Sequence, residues 1–152
     1  MSITVYDQVT TAVQNDARRW SMEEATRQIN NMTFLRNLPG QRNEVFYFSP
    51  ENIVYVWMST TKFVQSTTWS VQRRTVANAE TPSIFVCMTF PQVDANGDAI
   101  PGPTLTRCLE PGILFLASVD RAQGDVFGLR GRKQPPFKLP IDRTTISALA
   151  GR

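Results

Sequence analysis

The chain has 152 residues, of which 41% are hydrophobic and 19% charged, with a formal net charge of +3 and no histidine. This length and this content of apolar and aromatic residues predict one globular domain and exclude a disordered chain. The small net charge does not indicate nucleic acid as a partner. The absence of histidine removes the commonest general base and the commonest metal ligand. The sequence has no run of 18 apolar residues, so no transmembrane segment is predicted.

Residues 1–32 are predicted to form a helical N-terminal segment. Apolar side chains recur there at spacings of three and four, which puts them on one helix face: Val5, Val9, Ala12, Val13, Ala17 and Trp20. Ser21 and Glu24 then match a capping box, so a second helix is predicted to begin at Met22. Its buried stripe is expected to be Ala25, Ile29 and Met32.

Residues 33–130 are predicted to form an antiparallel β domain. Residues 44–49 and 53–58 are expected to pair as a hairpin around the turn sequence Ser49-Pro50-Glu51-Asn52. Further strands are predicted at residues 62–65, 67–73, 83–90, 105–109, 113–119 and 125–129. Their short, even spacing predicts a meander curled into a barrel or sandwich, with the N-terminal helices packed on it, which is an α+β fold that is mainly β.

Cys87 and Cys108 lie at equal distances from the point between Gly97 and Asp98, within the turn sequence at residues 94–98. If the chain reverses between Gly97 and Asp98, the two thiols face each other on neighbouring antiparallel strands, within reach of a disulfide. The alternatives are two buried free thiols and a catalytic thiol, although the latter would lack an imidazole base. We expect the disulfide in an oxidising compartment.

Aromatic side chains in adjacent predicted strands indicate that both faces of the sheet are apolar. Phe46 and Phe48 share one face of their strand, Tyr55 and Trp57 share a face of the next, and Trp69 follows in a third. One apolar face forms the core, and a second must be covered by the N-terminal helices, another subunit or an apolar ligand. These five residues are therefore the candidate ligand-binding set.

Residues 131–152 are predicted to form a basic, proline-rich C-terminal arm. The arm is expected to be extended, close to polyproline II, and to finish in a short helix at residues 144–150 capped by Asp142. Together with Trp20, it is predicted to contact a protein partner through Arg130, Arg132, Lys133, Pro135, Pro136, Phe137 and Lys138. The alternative is that these charges form a solvated face.

Five short segments carry a family resemblance: Thr33-Phe34-Leu35, Tyr47-Phe48-Ser49-Pro50-Glu51-Asn52, Trp69-Ser70-Val71, Phe85-Val86-Cys87 and Arg107-Cys108. In this order they resemble small bacterial envelope proteins with a lipocalin-like domain of unknown function. The resemblance implies an exported antiparallel β domain without catalysis, in the periplasm or outside the cell. Residues 1–7 do not read as a secretion leader, so a cytoplasmic or virion component with free thiols is the alternative.

The predicted function is non-enzymatic. We expect an accessory or structural subunit that docks on a larger protein assembly, without a metal ion or cofactor. A small lipocalin-like carrier of an apolar ligand is the alternative. A hydrolase or isomerase that uses carboxylates is a third interpretation, although no spacing of Asp or Glu in the sequence indicates a catalytic pair.

Overall fold

The computed structural model describes residues 6–8, 17, 19–38, 40, 42–78, 80–112 and 118–151. Within these ranges the chain forms one antiparallel sheet with two short helices, which confirms the predicted α+β, mainly β class. The helices are α1 (Met22–Ile29) and α2 (Ile146–Ala150). The strands are β1 (Tyr6–Gln8), β2 (Met32–Leu38), β3 (Arg42–Phe48), β4 (Ile53–Met58), β5 (Val64–Arg74), β6 (Ser83–Phe90), β7 (Leu105–Leu109) and β8 (Ser118–Gln123).

The sheet has the strand order β1-β8-β2-β3-β4-β5-β6-β7, and every pairing is antiparallel. Strands β2 to β7 follow one another as a meander, whereas β8 lies between β1 and β2. Strands β1 and β7 are the two outer strands, and no ladder joins them in the described part of the chain. The sheet is therefore not closed into a barrel.

The sheet is nevertheless strongly curved. The Phe48 ring on β3 and the Trp69 ring on β5 meet with centroids 5.4 Å apart, although two strand spacings in a flat sheet are about 9.6 Å. The sheet therefore curls around the face that carries these rings and Arg36. We call this face concave and the opposite one convex.

Both faces of the sheet are apolar, as the sequence predicts. The concave face carries Phe34, Phe46, Phe48, Val54, Val56, Trp69, Val86 and Met88, and it is covered by Ala17 and by Ile29 of α1. The convex face carries Leu35, Val45, Tyr47, Trp57, Val64 and Ala122, and it is covered by Phe127, Leu129, Leu139, Ile146 and Leu149. The chain therefore supplies its own cover for both faces.

Helix α1 begins as predicted at Met22. The Ser21 hydroxyl accepts a hydrogen bond from the Glu24 backbone N–H at 3.1 Å, which is the first half of the predicted capping box. The Glu24 carboxylate instead accepts from the Gln28 side chain and pairs with Arg27. The helix ends at Ile29 with Asn30 as its C-cap, and Asn31 then adopts a φ of 58° that lets the chain turn into β2.

The predicted hairpin and disulfide are both confirmed. Strands β3 and β4 pair around residues 49–52, and Asn52 has the left-handed φ of 64° that such a turn needs. Cys87 and Cys108 are directly opposed on β6 and β7 and form a disulfide, with Cα atoms 4.0 Å apart. This bond attaches the outer strand β7 covalently to its neighbour.

Three predictions about the N-terminal half are wrong or incomplete. Residues 6–8 form β1 rather than a helix, because the exposed edge of β8 supplies a ladder partner that overrides local propensity. Met32 begins β2 and does not extend the stripe of α1. Residues 62–65 and 67–73 belong largely to the single strand β5. Val5, Val9, Ala12, Val13 and residues 113–117 lie outside the described residues.

Two further predictions near the C-terminus are wrong. Residues 125–129 form a turn instead of a strand, because the Asp125 carboxylate accepts hydrogen bonds from the backbone N–H groups of Leu129 and Arg130 at 2.7 and 2.8 Å. Helix α2 is capped by Thr145, whose hydroxyl accepts from the Ala148 N–H at 3.2 Å, and not by Asp142. In both places a local side-chain contact decides the backbone conformation.

Candidate binding cleft

An open cleft of about 590 Å³ lies between the end of β4 and the C-terminal segment. Its volume is within the range of about 300–1,000 Å³ that is typical of ligand pockets. The lining combines an aromatic and aliphatic floor with hydroxyl and ammonium groups: Trp57, Ser59, Thr60, Thr61, Lys62, Pro135, Phe137, Lys138 and Leu139. We call this site the Trp57 cleft.

The floor of the Trp57 cleft is a cluster of three aromatic rings. Trp57 is 1% exposed, and its ring meets that of Phe137 edge to face, with centroids 4.9 Å apart. Phe127 contacts Trp57 in the same way at 5.6 Å and also contacts Phe137 at 6.3 Å. Such edge-to-face pairs are favourable beyond the area they bury, so the floor is a preformed aromatic cluster. Trp57 and Phe127 are buried within it, and the half-buried Phe137 is the ring that it presents to the cleft.

Strand register and backbone hydrogen bonds determine how this floor is assembled. Trp57 points to the convex face because it is paired directly with Val45 and Val64. On one side of Phe137, the Val64 N–H donates to the Lys133 carbonyl at 2.7 Å. On the other side, the buried Asn43 amide donates to the carbonyl oxygens of residues 140 and 142 at 2.7 and 2.6 Å. The C-terminal segment is thus fixed at both ends of the cleft.

The rim of the Trp57 cleft is polar and cationic. Lys62 and Lys138 are exposed, and neither has an ion-pair partner among the described residues. Ser59 and Thr61 bond to the protein, since the Ser59 hydroxyl accepts from the Asn43 N–H and the Thr61 hydroxyl donates to the Phe63 carbonyl. Thr60 is exposed and leaves its hydroxyl to solvent. The rim therefore offers two positive charges and one free hydroxyl.

A second depression of about 350 Å³ lies across the crossing of Val64 and Lys133. Its lining includes Tyr55 on β4 and Arg132 next to the crossing. The Lys133 ammonium on this side pairs with the Asp98 carboxylate. The second depression consequently has less uncompensated charge than the Trp57 cleft.

The two predicted sets of site residues meet in the Trp57 cleft. Trp57 comes from the aromatic set, while Pro135, Phe137 and Lys138 come from the predicted arm. The sequence prediction missed Ser59, Thr60, Thr61, Lys62 and Leu139. A signal for the first four is present in the sequence, because a polar run follows Trp57 and Met58 at the end of a predicted strand.

The remaining aromatic residues of the predicted set lie elsewhere. Phe46, Phe48 and Trp69 are buried in the concave core, where the Phe48 and Trp69 rings meet edge to face at 5.4 Å. Tyr55 lines the second depression and stacks with Tyr47 at 6.2 Å. The aromatic set thus divides between the two faces of the sheet.

The remaining partner-binding candidates also lie outside the Trp57 cleft. Trp20 is half-buried and packs against the concave core. Arg130 forms an ion pair with Glu51 at 2.7 Å, and Arg132 donates to the Gly128 carbonyl. Pro136 is half-buried and is not part of the cleft lining.

A buried ion pair lies on the opposite, concave face. The Arg36 Nη1 donates to the Glu44 Oε1 at 3.3 Å, and the two side chains are only 7% and 10% exposed. Burial lowers the pKa of the Arg36 guanidinium, while the adjacent Glu44 carboxylate opposes that shift. The Arg36 Nε has no acceptor among the described residues, and the guanidinium lies 5.5 Å above the Phe46 ring. This pair belongs to the core and does not contribute to the Trp57 cleft.

In the described ranges, no group of three or more His, Cys, Asp or Glu side chains is arranged to hold a metal ion, and no helix is long and apolar enough to cross a membrane. Comparison of the chain with protein-family models, curated proteins and solved structures finds no match. The resemblance to bacterial envelope proteins with a lipocalin-like domain therefore stays a prediction.

Proposed function

We propose that this protein is a non-enzymatic accessory subunit that docks on a larger protein assembly through the Trp57 cleft. The observation that carries the proposal is the preformed aromatic floor under an open, cationic rim. Large aromatic side chains at the centre of a surface depression are the commonest anchors of protein interfaces. A floor that is already packed in the free protein also reduces the entropy lost on binding.

The lining of the cleft supports binding in preference to catalysis. Its described lining contains hydroxyls and ammonium groups but no carboxylate or thiol. Among the described residues, no hydrogen bond joins Lys62 or Lys138 to one of the hydroxyls, so no activated nucleophile is assembled there. Ser59 and Thr61 are occupied by their contacts to the protein backbone.

A carrier of a small apolar ligand is the second candidate, and the volume of the Trp57 cleft favours it. This candidate requires the ligand to bind on the convex face. On the concave face, Phe46, Phe48 and Trp69 pack against one another and against the cover from α1, so they are already used by the core.

The disulfide supports an extracellular or periplasmic location for the docked subunit. Structural disulfides persist in oxidising compartments and are rare in the cytosol. Trapping thiols by rapid alkylation in intact cells tests this location, because Cys87 and Cys108 are expected to resist the reagent until a reductant is added. Immediate alkylation of both would refute it.

Site-specific photo-crosslinking tests the docking proposal. A photoreactive amino acid at Thr60, which is exposed at the rim, is compared with the same group at Ala77, which is exposed beyond the far end of β5. We expect one discrete protein adduct from position 60 and none from position 77, and we expect Lys138→Glu to suppress it. Identical adducts from both positions, or no adduct at all, would refute docking at the cleft.

A different outcome would favour the carrier. If native mass spectrometry of the protein from its own cells finds a small molecule bound, and Thr60→Phe releases that molecule, the cleft is a ligand site. The docking proposal would then be overturned.

A further inference from the structure

We infer that the partner enters the Trp57 cleft with an acidic, extended peptide segment that carries one large apolar side chain. The apolar side chain is seated on the half-buried Phe137 and Pro135, next to the buried Trp57, and the flanking carboxylates face Lys62 and Lys138. This inference rests on the proposed docking function and specifies the chemistry of the docked partner.

The floor determines the apolar anchor. Trp57 and Phe137 are supported from below by Phe127, and Pro135 and Leu139 complete an apolar wall. An inserted aromatic or leucine side chain would contact Phe137 and Pro135, which are half-buried, because Trp57, Phe127 and Leu139 are buried. Desolvated pockets of this kind take one anchor residue, which then contributes a large part of the binding energy.

The charges around the cleft determine the sign of the charge expected on the partner. Two cations near the C-terminal segment already have partners within the chain, because Arg130 pairs with Glu51 and Lys133 pairs with Asp98. Lys62 and Lys138 lack such partners among the described residues, and no carboxylate lines the cleft. Complementary negative charge on the partner would steer its approach and fix its register.

The shape of the surface favours an extended segment. The Trp57 cleft and the second depression have adjacent linings, because Trp57 of the first pairs directly with Val64 of the second. Lys133 and Pro135, one from each lining, are also close in the chain, so the two depressions are neighbours on β4 and β5. A chain segment can follow both, whereas a compact ligand would use one depression alone.

Fluorescence anisotropy with labelled synthetic peptides tests the inference on the intact protein. The probe has the sequence Glu-Asp-Glu-Phe-Glu-Asp-Glu. One comparison peptide replaces every acid by its amide, and a second replaces the phenylalanine by alanine. We expect the acidic phenylalanine peptide to bind most tightly and to weaken as salt is added, because the rim charges are exposed and screened.

Two pairs of variants localise the binding. Lys62→Gln with Lys138→Gln is expected to weaken the acidic probe roughly fivefold. Arg73→Gln with Arg74→Gln removes the same net charge from the exposed end of β5 and is expected to leave binding unchanged. Thr60→Phe is expected to block the cleft, whereas the matched exposed change Thr75→Phe is not.

The inference is overturned if the amide peptide binds as tightly as the acidic one. It is also overturned if the double variant at Lys62 and Lys138 and the double variant at Arg73 and Arg74 weaken binding equally. In either case a protein adduct from position 60 in the photo-crosslinking experiment leaves the docking proposal intact. Loss of that adduct would mean that the docking proposal itself fails.

Discussion

Replacing Glu44 by leucine removes the carboxylate that pairs with the buried Arg36 guanidinium. The side chains of Arg36 and Glu44 are 7% and 10% exposed, so solvent screens little of their interaction. The Arg36 Nε already lacks an acceptor among the described residues, and Arg107 adds further positive charge nearby. Arginine stays charged at every accessible pH, so it cannot escape by losing its proton.

The expected cost follows from this burial. Removing one partner of a buried ion pair typically costs about 3–5 kcal/mol, because it leaves an uncompensated charge in the core. For a chain of this length, that corresponds to a fall in Tm of roughly 6–20 °C. Arg36→Met is expected to cost a similar amount, since it leaves the Glu44 carboxylate buried without its cation.

The double variant Arg36→Met with Glu44→Leu provides the decisive comparison. It removes both charges and replaces them by apolar groups, which is often neutral or stabilising at buried sites. We expect its free energy of unfolding to lie within about 1 kcal/mol of the parent, or above it. The two single costs would then be strongly non-additive, as expected for residues in direct contact.

Urea unfolding followed by tryptophan fluorescence measures all four proteins of this cycle. Trp69 is packed in the same concave cluster and reports on the surroundings of the pair. A shift of the urea midpoint without a change of slope gives the free-energy difference directly. If either single variant falls within about 0.5 kcal/mol of the parent, the range expected for surface changes, the pair is not desolvated and this packing of the concave face is wrong.

Four further predictions test other parts of the fold. Cys87→Ala with Cys108→Ala is expected to lower the free energy of unfolding by about 3 kcal/mol, from the closed loop set by a sequence separation of 21 residues, and an unchanged urea midpoint would contradict this. Leu139→Ala is expected to cost about 2–5 kcal/mol, whereas Ile141→Ala, at a 55% exposed position, should cost under about 0.5 kcal/mol; equal costs in thermal melts would mean that the C-terminal segment is not packed as described. Asn52→Ala is expected to cost about 1 kcal/mol in the same melts because of its left-handed φ, and Asn52→Gly much less; the reverse order would contradict the turn. Burial raises the pKa of the Tyr47 phenol, so the stability that it provides is complete below about pH 10 and is lost as the pH rises through the raised value; absorbance titration at alkaline pH should show a late component that Tyr47→Phe removes.

Local signals in the sequence were sufficient for several elements. The Ser21 cap, the turn at Asn52 and the pairing of Cys87 with Cys108 each depend on a few neighbouring residues or on symmetry about one turn. Such features can be read without knowledge of the tertiary structure, because the side chain and the backbone that it controls are close in the chain.

Strand β2 could not be recognised in the same way. Thr33, Phe34, Leu35 and Arg36 are all buried, so the strand lacks the alternation of polar and apolar residues that marks a half-exposed strand. An arginine in its centre makes sense only with Glu44 opposite on β3. The alternation of polar and apolar residues therefore did not indicate this strand.

The C-terminal segment was interpreted as an arm because it is rich in proline and basic residues. Its apolar residues Phe137, Leu139, Ile146 and Leu149 are too irregularly spaced to indicate a packed element. Their role becomes evident only once the convex face is known to need a cover. The cleft was missed for the same reason, because its two walls are about 75 residues apart in the sequence.

The position of β8 has a consequence for the order in which the protein matures during synthesis. Strands β2 to β7 are successive neighbours and can pair as soon as each leaves the ribosome, whereas β1 must wait for β8 to be translated. The Asp120 carboxylate on β8 also accepts from the Ile146 N–H at 2.8 Å, so α2 docks later still. The nascent chain therefore has an exposed edge on β2 and an uncovered convex face until its last third has emerged. During that interval these two surfaces are available to a chaperone.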